Sequence, residues 1–172
     1  PMARHAMRPG VGAVGALLQY PDGTVQHAGV SIGTGNAAGH VYRGIPIAET
    51  GHRNMHRLSR CVSAVTAACM VVRRELFMEV GGLDEHAFRV AFNDVDFCLK
   101  LRAKGYRNIF AGEAHLTHHE SKSRGCDFSD VNRARYLGEL ERLQEKWGTK
   151  TYVDPYHHPL AMRSSEQFVL SP

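Results

Sequence analysis

An apolar run, CVSAVTAACMVV at residues 61–72, limits how this chain can fold more than any other feature. A nearly continuous apolar run of that length is typical of a strand buried on both faces of a sheet. A hairpin pattern precedes the run, and helical patterns with glycine stops follow it. The 172 residues therefore predict an α/β chain of about one domain, long enough to bury one core.

The segment before this run predicts a β-hairpin. VGAVGALLQY and VQHAGVSIG flank a Pro-Asp-Gly turn, which is a hairpin signal. Gly12 and Gly15 indicate close backbone packing or a bulge. Their spacing is not a dinucleotide fingerprint, because a hairpin and not a helix follows. Residues 33–60 predict a long loop, of the kind that is usually functional or disordered, with a short helix around His52–Leu58.

Three helices are predicted after the run. RRELFMEVGG indicates a short helix that Gly81 and Gly82 stop, since glycine readily takes the left-handed closing conformation. A second helix begins within AFNDVDF and ends near Lys104, with Gly105 as its closing residue. A third covers about residues 129–147, and its apolar positions are Val131, Tyr136, Leu140 and Leu143.

The remaining segments predict short strands and an irregular end. One or two strands lie around Ile109 and Leu116, between the second and third helices. Residues 1–148 form the domain in this prediction. Residues 149–172 mix prolines and histidines and are expected to be an irregular C-terminal extension.

Composition excludes a few classes of protein. The chain is mildly basic, with a formal charge of +4, which suits a polyphosphate ligand, an anionic membrane surface or nucleic acid without selecting among them. No apolar run reaches the roughly 18 residues of a membrane span, and the first residues do not form a signal peptide. The four cysteines form no C-x-x-C pair and suit a reducing compartment. We therefore expect a cytoplasmic location, with peripheral association at the inner face of the membrane.

Two carboxylates stand at the start of the second helix. If Asn93 is the N-cap, Asp94 and Asp96 lie in the first turn at the positive end of the helix dipole, and the helix explains all three without a catalytic role. Residues two apart point to roughly opposite sides of a helix, so the two aspartates are not expected to share a metal ion. This favours a single general base over a metal pair. The buried stripe of this helix comprises Val95, Cys98, Leu99 and Leu101.

A histidine cluster and two basic residues follow. In a strand, His118 and Glu120 would point to one face and His119 to the other. One of the histidines could complete a metal site built mostly elsewhere, and a surface histidine cluster is the alternative. Lys122 and Arg124 could hold phosphate oxygens, or they are ordinary loop charges.

Taken in order, these stretches resemble a known family. SAVTAACMVVRRELFMEVGGLDE, followed by FNDVDFCLKLRAKGYRNIFAGEAHLTHHESKSRG, resembles the C-terminal half of the catalytic domain of family 2 glycosyltransferases, particularly bacterial rhamnosyltransferase-like members. VGAVGALLQYPDGTVQHAGV is similar to the segment that precedes these motifs in the family. The resemblance covers about residues 9–147.

The resemblance implies a GT-A fold, an α/β fold with a mixed sheet and flanking helices. It also implies inverting transfer of a sugar from a nucleotide-diphosphate donor to a hydroxyl of a glycan or lipid-linked acceptor. The family's catalytic base matches Asp94, while the acidic residue expected before it is Asn93. The family's metal-completing histidine matches His118 most closely, with His119 as the alternative. Mg²⁺ or Mn²⁺ would be the cofactor, and Lys122 and Arg124 would contact phosphate.

The same resemblance implies that a part of the active site is missing. Family members begin with a nucleotide-binding half that ends in an Asp-x-Asp metal motif, and this chain shows no such half. We therefore expect an acceptor-side portion that is inactive alone and dimerises through an exposed sheet edge. The alternative is a non-catalytic module that binds an acceptor glycan, a metal or nucleic acid. Nucleic acid is disfavoured, because the basic residues do not form a stripe with interleaved aromatics.

Overall fold

A computed structural model describes residues 1–49, 53–119 and 130–171, with only the backbone of residues 130 and 131. The α-helices are α1 (Met2–Ala6), α2 (Arg74–Glu79), α3 (Asn93–Ala103) and α4 (Asp130–Trp147). The strands are β1 (Val11–Gln19), β2 (Val25–His27), β3 (Val30–Ile32), β4 (Ala38–His40), β5 (Arg60–Val62), β6 (Met70–Val71) and β7 (Arg107–Thr117). Short 3₁₀ turns cover Thr34–Asn36 and Ala67–Cys69.

The main sheet is mixed, which confirms the expected α/β class with a mixed sheet. Its strand order is β2-β1-β7-β5, and β6 also pairs with β1. Strands β1 and β7 run parallel, from the Val11–Arg107 pair to the Gln19–Thr117 pair. The predicted hairpin is present as the antiparallel pair of β1 and β2. Strands β3 and β4 form a separate antiparallel pair, which the sequence pattern did not predict.

The predicted single strand at residues 61–72 is wrong. The run contains two short strands, β5 beside β7 and β6 beside β1, separated by the turn at Ala67–Cys69. Within this turn, the Thr66 hydroxyl accepts the Ala68 N–H at 3.3 Å. Ser63, Ala64 and Val65 between the strands are fully buried. Burial alone therefore explains the apolar composition, and it did not require one extended strand.

The segment that joins β5 to β6 packs directly against the backbone of β1 at Gly15. A Cβ atom at this position would lie 2.5 Å from the Cβ of Val65, closer than two side chains can pack. A Cβ at Gly12 would lie 2.9 Å from Oδ1 of Asn108. The close backbone packing predicted for these two glycines is therefore confirmed.

Most of the other predicted elements are confirmed. Helix α2 is followed by Gly81 and Gly82 and helix α3 by Gly105, all three with positive φ. The strands predicted around Ile109 and Leu116 are one strand, β7. The short helix predicted around His52–Leu58 is wrong over residues 53–58, which form turns, and His52 lies outside the described residues.

The core lies between the sheet and helices α3 and α4. Helix α3 buries the predicted Val95, Cys98, Leu99 and Leu101, together with Phe97 and Asp96. Helix α4 contributes Leu143, which is fully buried, while Tyr136 is 40% exposed and not part of the buried face. None of the helices in the described ranges is long and apolar enough to cross a membrane.

The C-terminal segment, residues 149–171, is irregular as predicted but packs against the domain. Oδ2 of Asp154 accepts the Ile32 N–H at 2.7 Å, and the ring of Phe168 stacks on Tyr42 with the ring centroids 6.0 Å apart. Thr149 is fully buried. The segment therefore covers the side of the molecule formed by β3 and β4.

Replacing Gly15 with alanine tests the close contact between β1 and Val65. We expect Gly15→Ala to lower the free energy of unfolding by about 1–3 kcal/mol, because the new methyl group overpacks the contact with Val65. Gly138→Ala is the matched control: it lies inside α4, where a Cβ meets only Arg142 at 3.5 Å. That change should stabilise the protein by up to about 1 kcal/mol. Urea denaturation measures both, and equal stability of Gly15→Ala and the parent protein would contradict the steric argument.

Candidate active site

Helix α3 begins with a residue in an unusual conformation. Phe92 occupies the N-cap position with φ of 63°, and its side chain makes no capping hydrogen bond. The prediction that Asn93 is the N-cap is therefore wrong. Because the left-handed turn falls at Phe92, Asn93 already lies inside the first helical turn. The Phe92 ring packs against Tyr136 of α4 with the centroids 5.5 Å apart.

Asp94 is held by two backbone N–H groups. Its Oδ2 accepts the N–H of Ala67 at 2.9 Å, and its Oδ1 accepts the N–H of Val95 at 2.8 Å. The side chain is half-buried. Two hydrogen bonds to backbone groups fix the direction in which the carboxylate points. Asp94 therefore combines a fixed orientation with partial access to solvent.

A buried pair of histidines lies beside the turn that holds Asp94. The Thr66 N–H donates to Nε2 of His27 at 3.5 Å, and the Nδ1 atoms of His27 and His40 are 3.2 Å apart. Burial lowers the pKa of His27 well below its usual value, and His40 and Arg60 add to the effect. Both imidazoles are therefore neutral in the folded protein at pH 7. This pair was not predicted from the sequence, although VQHAGV places His27 on a strand next to a turn.

The C-terminal segment reaches the same region through Glu166. Its Oε1 accepts the backbone N–H of His40 at 2.9 Å, and its Oε2 lies 3.4 Å from Nη1 of Arg43. The Arg43 guanidinium also donates to the Tyr20 hydroxyl, at 2.8 and 3.0 Å. The sequence gives no local signal for Glu166, because this contact joins residues 126 positions apart.

Asp96 has a different environment from Asp94. It is fully buried, and its Oδ1 accepts the Trp147 indole N–H and the Lys146 ammonium, both at 2.8 Å. Lys100 lies 3.5 Å from Oδ2. The two aspartates face different partners, as the helical geometry predicted. The interpretation of Asp96 mainly as a helix N-terminal residue needs correction, because its strongest contacts bind α3 to α4.

His118 lies at the carboxyl edge of the parallel strands. Its backbone N–H donates to the Gln19 carbonyl at 2.9 Å, just beyond the last residues of β1 and β7. Its Nδ1 is buried and has no hydrogen-bond partner among the described residues. His119 is exposed, and Nε2 of His115 contacts Oε1 of Gln19 at 2.9 Å.

Asp94 and His118 lie toward the same edge of the sheet. The turn at Ala67–Cys69, which binds Asp94, leads into β6, and β6 runs antiparallel to β1. The turn therefore lies on the carboxyl side of β1, the side where His118 is placed. Ligands of open α/β sheets bind outside the carboxyl ends of the strands.

The described structure does not include the remaining predicted site residues. Lys122 and Arg124, predicted to contact phosphate, lie outside the described residues, as does Glu120. Within the ranges that the structure describes, no three His, Cys, Asp or Glu side chains are grouped to hold a metal ion.

The sequence is similar to curated proteins over almost its whole length. It is 47% identical over 99% of this chain to the uncharacterized protein y4gI of Sinorhizobium fredii, and 39% identical over 92% to the O-antigen biosynthesis protein RfbC of Myxococcus xanthus. It is 30% identical over 69% to the N-acetylglucosaminyl-diphospho-decaprenol L-rhamnosyltransferase of Mycobacterium tuberculosis. These matches cover 19%, 12% and 41% of the three relatives, so the chain spans less than half of each.

A family model supports the same relationship. The model described as glycosyl transferase family group 2 matches residues 16–164, most of the chain. No solved structure was found to match the sequence. The mixed α/β sheet fits a GT-A-like fold, and the family match includes the candidate site at Asp94 and His118. The chain belongs to the glycosyl transferase family group 2.

Proposed function

We propose that this chain supplies the acceptor side of a glycosyltransferase active site. The reaction is transfer of a sugar from a nucleotide-diphosphate sugar to a hydroxyl of a glycan or lipid-linked acceptor during polysaccharide synthesis. Family membership and the names of two relatives, in O-antigen biosynthesis and in rhamnosyl transfer to a lipid-linked sugar, support this proposal. By the same reasoning, rhamnose is the proposed donor sugar.

The environment of Asp94 is the observation that carries the proposal. Its carboxylate is half-buried, oriented by two backbone N–H groups and located toward the carboxyl edge of the sheet. In the proposed reaction, Asp94 takes the proton from the acceptor hydroxyl while that oxygen bonds to the anomeric carbon. The bond from this carbon to the diphosphate breaks, and the nucleotide diphosphate leaves. Direct attack by the acceptor, assisted by a single base, gives inversion at the anomeric carbon.

His118 is the proposed metal ligand on this chain. Its buried Nδ1 without a hydrogen-bond partner among the described residues fits a ligand role, since neutral imidazole binds divalent metals well. A bound Mg²⁺ or Mn²⁺ would neutralise charge on the departing diphosphate. Lys122 and Arg124 remain proposed phosphate contacts.

Asp94→Asn tests the proposed base. Loss of a general base should lower the rate of sugar transfer by about 10²–10⁴-fold in the intact enzyme, with donor binding unchanged. The asparagine keeps the size of the side chain but accepts a proton poorly. Glu75→Gln, in the first turn of α2, is the matched control and should leave the rate unchanged. Turnover is followed by release of the nucleotide diphosphate, and near-normal turnover of Asp94→Asn would disprove the assignment.

Asp96→Asn tests the separate structural role of the second carboxylate. Losing the ionic contact with Lys146 should lower the free energy of unfolding by about 1.5–3 kcal/mol, measured by urea denaturation. The same change in a Lys146→Met background should cost less, because the partner charge is already absent. If the cost were the same in both backgrounds, the ion pair would not be what Asp96 contributes.

The neutral histidine pair predicts a dependence of stability on pH. Burial holds the folded-state pKa of His27 and of His40 below the ordinary value, so the unfolded chain binds more protons in acid. Stability should therefore be full above pH about 6.5 and fall below it by up to about 1.4 kcal/mol per pH unit for each histidine. Thermal unfolding between pH 5 and 8 measures this slope.

Two variants distinguish the contribution of the histidine pair to this pH dependence from that of other titrating groups. His27→Gln should flatten the pH dependence, because it removes one of the two buried imidazoles. His86→Gln, at an exposed position, should leave the slope as in the parent protein. An unchanged slope in His27→Gln would show that the acid sensitivity originates elsewhere.

A further inference from the structure

A cavity of about 490 Å³ lies between the C-terminal segment and strands β3 and β5. Its size falls in the range of roughly 300–1,000 Å³ that is usual for small-molecule sites. Val30 and Val62 line it from the strands, Tyr42 from the loop before β5, and Phe168 from the C-terminal segment. Cys61, which is half-buried, also lines it. The walls are thus largely apolar and aromatic.

The charged groups at this cavity already make hydrogen bonds or ion pairs with protein groups. Arg60 donates to the carbonyl oxygens of Ala28 at 2.6 Å and Met55 at 2.7 Å. Both oxygens of Asp154 accept backbone N–H groups. The carboxylate of Glu166 lies 3.4 Å from Arg43. Arg60, Asp154 and Glu166 together carry one positive and two negative formal charges, so the cavity suits a neutral ligand better than an anion such as a nucleotide diphosphate.

The polar groups at the cavity suit hydroxyls. Ser31 Oγ lies 3.1 Å from Nδ1 of His157, and Gln167 and Glu166 also line the wall. Sugar rings present apolar C–H faces beside polar hydroxyls. Aromatic rings such as Tyr42 and Phe168 can pack against those faces, while a few placed polar groups fix orientation. This combination favours a saccharide over a purely apolar ligand.

Glu166 connects this cavity to the candidate base. It lines the cavity and also accepts the His40 N–H. Burial lowers the pKa of His40, while the charges of Glu166 and Asp94 both act to raise it. Contacts also link Asp94 to His40 through the turn at Ala67–Cys69. Asp94 accepts the Ala67 N–H, the preceding Thr66 N–H donates to His27, and His27 lies against His40. A ligand in the cavity would be a neighbour of a substrate hydroxyl at Asp94.

We propose that this cavity binds a neutral sugar residue of the acceptor glycan, adjacent to the sugar whose hydroxyl Asp94 deprotonates. The assignment to the acceptor rests on the proposed transferase function. Binding of a saccharide at the cavity can be tested without any transfer reaction.

Protection of Cys61 from alkylation tests the proposal. Cys69→Ser and Cys126→Ser replace two other thiols, and Cys98 is fully buried, so a maleimide reports on Cys61. Methyl α-rhamnopyranoside and N-acetylglucosamine are the saccharide probes, with octanol and a nucleotide diphosphate as comparison ligands. At a saccharide concentration of about ten times the dissociation constant, labelling should slow roughly tenfold. Octanol and the nucleotide diphosphate should protect less.

A matched pair of variants locates the effect. Ser165→Trp places a large ring at a residue that lines the cavity, while Ser164→Trp places it at the exposed neighbour that does not. Ser165→Trp should abolish saccharide binding, measured by saturation-transfer NMR, and Ser164→Trp should retain it. A circular dichroism spectrum and an unfolding midpoint like those of the parent protein establish that both variants fold.

The outcomes separate this inference from the proposed function. Absence of saccharide protection and of saturation transfer would overturn the inference, even if Asp94-dependent sugar transfer were observed. Protection by octanol alone would also overturn it, because the occupant would then be apolar. Saccharide binding that Ser165→Trp abolishes would support the glycan site even in a protein that shows no transfer.

Discussion

The parallel pairing of β1 with β7 is the constraint on which the rest of the structure depends. It joins the N-terminal hairpin to a strand almost a hundred residues later and sends both strands toward one edge. The two candidate site residues, Asp94 and His118, lie toward that edge. His118 follows the end of β7, and the turn that binds Asp94 precedes β6 beside β1. A different pairing would separate these two residues.

Helix α3 can present Asp94 because Asp96 fixes the helix. A buried carboxylate is costly unless it is paired, and Asp96 meets both Lys146 and the indole of Trp147 from α4. The first turn of α3 is thereby attached to a second helix. Asp94, on the other side of that turn, accepts two backbone N–H groups among the described residues and remains half-exposed. Asp96 supplies position, and Asp94 is the proposed catalytic group.

Local signals in the sequence predicted much of this fold, and the role of Asp94 as the base stays a prediction. The glycine stops of α2 and α3, the hairpin and the close contact at Gly15 all follow from short-range rules. The prediction of one strand over the apolar run was wrong, because an apolar turn such as Ala67–Cys69 has the same composition as a strand. The prediction of a cap at Asn93 was wrong because Phe92 takes a left-handed conformation, with its ring packed against Tyr136 of a distant helix. His27, His40 and Glu166 were missed because their contacts join distant segments.

The distribution of charge suggests that this chain binds the neutral acceptor and the anionic diphosphate at two different places. Arg60, Arg102 and Asp154 make hydrogen bonds to protein groups, so these charges stabilise the fold and are not offered to a phosphate. The surroundings of Asp94 and the neighbouring cavity therefore suit neutral hydroxyl-bearing ligands. We propose that contacts to the anionic diphosphate are made instead by His118 and by Lys122 and Arg124, which follow it in the sequence. In this proposal Asp94 takes a proton from the acceptor, while the charge of the departing diphosphate is met at a separate place.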